Sequence, residues 1–99
     1  MIMKTISEIR EELQDIKPYL QKAYSVKDIG VFGSYLRNEQ KSDSDLDILV
    51  SFHETPSLFK FIKLENYLSD RLKIKIDLVM ETALKENLKE LILGEVVSL

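Results

Sequence analysis

Apolar residues recur at intervals of three and four from Ile6 through Ile9, Leu13, Ile16 and Leu20, the stripe of an amphipathic helix. Thr5 stands before it with Glu8 three residues on, the spacing of a capping box. The pattern predicts a helix over about residues 6–23, broken or bent near 16–18, because Pro18 lacks an amide donor and crowds the preceding turn. The period then changes to two. Lys27 to Phe32 reads as a short strand, with Ile29 and Val31 on one face and Gly30 and Phe32 on the other. The chain turns at Gly33-Ser34, makes a helical turn over Tyr35, Leu36 and Arg37 that Asn38 ends, and runs on as polar loop from Glu39 to Ser44.

A second strand covers Leu46 to Phe52. Leu46, Ile48, Val50 and Phe52 share one face; Asp45, Asp47, Leu49 and Ser51 share the other. His53-Glu54-Thr55-Pro56 closes it, and Ser57 caps a helix reaching about Leu72, with Leu58, Phe61, Ile62, Glu65 and Leu68 along its sides. Both faces are apolar near its start, Phe59 included, which predicts deep burial or a partner contact there. Lys73 to Met80 alternates again: Ile74, Ile76, Leu78 and Met80 lie on one side, Lys73, Lys75, Asp77 and Val79 on the other. A last helix is expected from near Thr82, with Leu84, Leu88, Leu91 and Ile92 inward and Gly94 ending it. The Glu95-Val96-Val97 tail then packs back on the core.

Helix, strand, turn, strand, helix, strand, helix makes an α/β (α+β) domain, a small mixed sheet covered by helices. Its strand order does not follow from the pattern. Ninety-nine residues are expected to form one domain, residues 1–99, with one modest core. At 44% hydrophobic and 31% charged the chain is ordinary for a globular protein. A net charge of −3 and a pI of about 5.2 give no electrostatic reason to expect nonspecific nucleic-acid or membrane binding. No cysteine is present, which excludes disulfides, zinc-thiolate sites and thiol nucleophiles; a single histidine, His53, excludes a multi-histidine metal cluster. Met1 to Thr5 has no signal-peptide core and no apolar run nears the length of a membrane span, so a soluble, cytoplasmic protein is expected.

The chemistry concentrates in Gly33-Ser34, a ten-residue gap, and Asp45-Leu46-Asp47. Acids at i and i+2 on a strand point to one face. Gly33 lets backbone approach a phosphate, and the Ser34 hydroxyl and the amides beside it can donate to one. If the later strand lies alongside, Asp77 brings a third carboxylate. Such a set suits one or two hard cations such as Mg²⁺. In a two-metal site one ion activates the attacking oxygen and the other binds the triphosphate and steadies the leaving pyrophosphate. Without metal the three acids repel one another, and at least one tends to keep a proton. Arg37 is placed either to contact phosphate or to pair with Glu39 or Asp43.

Gly33-Ser34, the gap, Asp45-x-Asp47 and the strand acid in Lys75-Ile76-Asp77-Leu78-Val79 together resemble the nucleotidyltransferase superfamily that includes DNA polymerase beta. Phe32 to Glu39 with Ser42 to Asp47 is closer still to the minimal nucleotidyltransferases, the MNT-type antitoxins paired with HEPN-domain ribonuclease toxins. The likeness runs from about Ser25 to the Glu95-Val96-Val97 tail. It implies that Asp45 and Asp47 bind metal and nucleotide phosphates, that Asp77 completes the metal site and helps activate the acceptor hydroxyl, and that Gly33 and Ser34 hold the β,γ-phosphates of ATP. The family usually has Ala-Arg-Gly where this chain has Leu36-Arg37-Asn38. Asn retains tolerance of a left-handed turn, and Leu36 changes packing. Larger members carry extra domains that grip the acceptor, so here a second polypeptide is expected to present it. The resemblance thus implies transfer of AMP from ATP, with Mg²⁺, to a tyrosine of a HEPN toxin, whose ribonuclease activity it silences. The alternative is a binding-only antitoxin or nucleotide-binding subunit that masks its partner. Homo- or hetero-oligomers fit either reading.

Competing readings are weaker. Asp43-Ser44-Asp45-Leu46-Asp47 mimics the start of a calcium loop, but Ile48 stands where glycine is needed and no suitable Glu follows. Metal-dependent glycosyltransferases also use Asp-x-Asp, in a larger sugar-nucleotide domain. His53 is expected in an exposed loop, and Lys60, Lys63, Arg71, Lys73 and Lys75 as a solvated face.

Overall fold

The computed structural model describes residues 5–33 and 45–84, together with 90, 92, 94, 97 and 98. Helix α1 runs Ile6–Tyr24, and Thr5 caps it from an extended conformation, its hydroxyl oxygen accepting the Glu8 amide at 3.2 Å. The Thr5 hydroxyl in turn donates to the Glu8 carboxylate at 3.3 Å, so the reciprocal half of the box closes on the side chain. Ser25, left-handed at φ 57°, ends the helix by donating its amide to the Leu20 carbonyl.

Of the break or bend expected near Pro18, the break is absent: α1 is one uninterrupted helix. Proline inside a helix costs about 3 kcal/mol, whereas each buried aliphatic side chain contributes about 1.5–3 kcal/mol. Ile9, Leu13, Ile16, Leu20 and Tyr24 are all buried on both sides of Pro18, and their burial outweighs the lost bond. Pro18 itself is exposed. Pro18→Ala is therefore expected to stabilise the chain by about 1–3 kcal/mol, read as a higher denaturant midpoint at unchanged slope.

Strand β1, Val26–Phe32, starts with a bulge between Val26 and Asp28. It pairs antiparallel with β2, Leu46–Phe52, in a register that sets Val31 against Ile48 and Phe32 against Asp47. Helix α2, Leu58–Leu72, is capped by the Ser57 hydroxyl, which accepts the Lys60 amide at 3.2 Å. It crosses from β2 to β3, Ile76–Met80, which pairs parallel with β2. β3 starts three residues later than its alternation suggested, because Lys73 is the left-handed C-cap of α2 at φ 59°.

A two-residue strand β4, Val97–Ser98, adds antiparallel to β1, giving the sheet order β3-β2-β1-β4. The expected return of the tail thus takes the form of strand pairing, Val97 against Val31; Glu95 and Val96 lie outside the described residues. No α-helix starts at Thr82. Glu81–Ala83 form a single 3-10 turn, and Leu84 is extended at ψ 137°. Glu90, Ile92 and Gly94 are helical, and Gly94 is the last helical residue among those described; Leu88 and Leu91 lie outside the described residues.

One face of the sheet carries the core. Ile29, Val31, Leu46, Ile48, Val50, Ile76 and Leu78 meet the buried stripe of α1 and the Leu64, Leu68 and Leu72 stripe of α2. Phe32 and Leu49 are buried on the other face, which also bears the acids. The start of α2 is not deeply buried as one expectation had it: Leu58 is 75% exposed and Phe59 81%. No helix among the described residues is long and apolar enough to cross a membrane.

Candidate active site

Strand pairing sets Phe32, Asp47 and Asp77 side by side in one row across β1, β2 and β3. Neighbouring strands lie about 4.8 Å apart, so the two carboxylates leave adjacent backbones on the same face. Like charges directly opposite destabilise a sheet. A fold built for stability alone would not place them so. Asp47 is half-buried and Asp77 exposed. Asp45 is half-buried and sits one residue before β2, where the Leu46 amide, donating to the Lys75 carbonyl at 2.8 Å, already belongs to the ladder. Alternation puts Asp45 on the Asp47 side.

Gly33 ends β1 against this row. It is buried, with φ +84°, a conformation that favours glycine. A methyl group added there would overlap Oδ2 of Asp47 and lie 3.0 Å from its Cγ and 3.2 Å from its Cβ. Glycine is thus required twice over, by the backbone angle and by the carboxylate packed on it. Ser34 and Arg37, expected beside it, lie outside the described residues.

The structure therefore joins Gly33, Asp47 and Asp77. It does not gather three acids into a finished cluster: among the described residues no group of three or more His, Cys, Asp or Glu stands ready to hold a metal ion. As a donor set, two register-paired carboxylates with a third two residues upstream fit a hard, oxygen-preferring cation.

Two side chains behind the site escaped the sequence-based expectations. β3 is an edge strand, and two of its backbone amides are taken by α2: Leu78 donates to Oε2 of Glu65 at 3.1 Å, and Ile76 donates to Oγ of Ser69 at 3.2 Å. A detectable signal was the polar pair at i and i+4, each residue directly following a buried leucine, Leu64 and Leu68. The remaining candidates stay at the periphery. His53 is exposed, and its backbone amide donates to the Ser25 carbonyl at 2.8 Å. Lys60, Lys63, Arg71, Lys73 and Lys75 are exposed, as expected of a solvated face.

Comparison with known proteins gives this geometry a context. The profile of the nucleotidyltransferase domain family matches residues 6–98. The protein adenylyltransferase MntA of Thermococcus cleftensis is 50% identical over 97 residues, covering 98% of both chains. A solved structure provisionally called a minimal nucleotidyltransferase superimposes with a TM-score of 0.84 at 30% identity, over 100% of each chain. A toxin–antitoxin crystal structure with AMP-PNP gives a TM-score of 0.69 at 25% identity, covering 93% of this chain and 69% of that one.

Proposed function

The chain belongs to the nucleotidyltransferase domain family, and from that premise we propose that it is a protein adenylyltransferase acting as the antitoxin of a toxin–antitoxin pair. It moves AMP from ATP to a hydroxyl, a tyrosine in the form we favour, of a HEPN-domain toxin. The observation that carries the proposal is the row in which Asp47 and Asp77 are register partners with Gly33 packed on Asp47. The name of the Thermococcus cleftensis relative supports the adenylyl group, and the AMP-PNP complex supports a nucleotide bound in a toxin–antitoxin setting.

In the proposed reaction the acceptor oxygen attacks the α-phosphorus of ATP. The bond from that phosphorus to the oxygen bridging to the β-phosphate breaks, AMP is joined to the acceptor, and pyrophosphate leaves. The hydroxyl proton passes to a carboxylate, for which Asp77, exposed at the sheet edge, is the candidate. Asp45, Asp47 and Asp77 are the residues that would hold Mg²⁺, which when bound neutralises phosphate charge and acidifies the acceptor hydroxyl. Gly33 leaves the backbone bare where β1 meets the row, and the Asp47 carboxylate packs where a side chain would stand. Ser34 and Arg37 complete the phosphate side of the proposed site.

Intact mass of a HEPN toxin co-expressed with this chain tests the proposal. The expected result is a mass increase by whole AMP units that disappears with Asp45→Asn. An unmodified toxin that is nonetheless neutralised would establish the binding-only alternative.

A further inference from the structure

β3 carries Asp77 at the margin of the sheet, and a margin strand has ladder bonds on one side only. In the parallel pairing with β2, where Leu46 is the partner of Ile76 and donates to Lys75, the amides of Asp77 and Val79 face β2. Those of Ile76 and Leu78 face outward. These are the two amides that Ser69 and Glu65 accept, at 3.2 and 3.1 Å. Asp77 is thus flanked on both sides by residues whose backbone is tied to α2, and both bonds are partly buried. Glu65 and Ser69 are themselves half-buried, next to the fully buried Leu64 and Leu68 that root α2 in the core.

The tie acts on register. β3 is only five residues long, and a slip of one residue would turn Asp77 to the core face and Ile76 or Leu78 to the acid face. Apolar burial of Ile76 and Leu78 opposes the slip. The bond from the Leu78 amide to the Glu65 side-chain oxygen adds a directional restraint beside the functional carboxylate. The repulsion between Asp47 and Asp77 works in the other direction.

We infer that Glu65 and Ser69 are positioning residues for Asp77: through the amides of Leu78 and Ile76 they hold the strand in the register that keeps Asp77 beside Asp47. This rests on the proposed role of Asp77 in the transfer site. The acceptor oxygen is what matters, so glutamine at position 65 preserves the function and alanine does not.

The test uses the full chain and two readouts: amide exchange at Ile76 and Leu78 followed by NMR, and binding of Mn²⁺ with a non-hydrolysable ATP analogue. Loss of partners that orient a metal-binding group costs about 10–100-fold in metal affinity. Glu65→Ala is expected to speed exchange at Leu78 about tenfold and to weaken Mn²⁺ binding at least tenfold, and Ser69→Ala to act likewise through Ile76 with a smaller effect. Glu65→Gln is expected to restore both values to near wild type, which a general loss of folding would not allow. Wild-type Mn²⁺ affinity in Glu65→Ala, with affinity lost in Asp77→Asn, overturns the inference and leaves the site intact. Equal damage from Glu65→Gln and Glu65→Ala also overturns it. Wild-type affinity in Asp77→Asn overturns the site reading and, with it, the inference.

Discussion

Gly33→Ala is expected to reduce AMP transfer by about 100-fold and to lower stability by about 1–3 kcal/mol. The two effects have separate causes. The stability loss comes from holding a non-glycine residue at φ +84°, where an L side chain is strained. The activity loss comes from the new methyl, which overlaps Oδ2 of Asp47 and must displace that carboxylate. Displacing a positioned catalytic group by about 1 Å is enough for a loss of about 10²-fold. A transfer assay beside a denaturant titration separates them. Asp47→Ala removes the overlapped carboxylate, so Gly33→Ala is expected to destabilise that background by a similar amount, through the backbone angle. If Gly33→Ala leaves transfer untouched, the turn does not border the site.

Asp47→Asn is expected to lower transfer by at least about 10³-fold, the scale of removing an electrostatic contact made to developing charge, while the fold survives. Asparagine keeps the shape of the side chain and loses its negative charge, so Gly33 still packs against it. The substitution also relieves the repulsion with its register partner Asp77. Stability is therefore expected to hold or rise slightly as activity vanishes. That opposed pair of changes distinguishes a functional acid from a structural one. Thermal unfolding of Asp47→Asn alongside the transfer assay reads both, and a large stability loss would assign the carboxylate a structural duty.

Much of this was legible in the chain because local chemistry and burial agree there. The Thr5 and Ser57 caps mark the starts of α1 and α2, and the Leu46–Phe52 alternation delimits β2, since its faces meet unlike surroundings. Errors arose where tertiary contacts override a local rule. Pro18 should interrupt a helix, but the buried stripe continues on both sides of it. Lys73 and Lys75 fit a strand pattern, yet Lys73 takes a left-handed conformation to end α2. The 3-10 turn at Glu81–Ala83 replaces the expected start of a helix.

The site divides in the same way. Asp45, Asp47 and Gly33 stand out through spacing within a short stretch, whereas the meeting of Asp47 with Asp77 depends on sheet order, which no periodicity encodes. Glu65 and Ser69 were harder to see. Their partners are backbone amides of β3, and a sequence does not show which backbone groups a fold leaves unpaired.

On the proposed reading this chain transfers the adenylyl part of ATP to a protein through the Asp45, Asp47 and Asp77 face. The most direct measurement incubates it with a HEPN toxin, Mg²⁺ and ATP labelled either on the α- or on the γ-phosphate, then follows label into protein. The expected result is that α-label enters the toxin, that γ-label is released in pyrophosphate, and that Asp47→Asn abolishes incorporation. Incorporation of γ-label, or α-label transfer undiminished in Asp47→Asn, would contradict it.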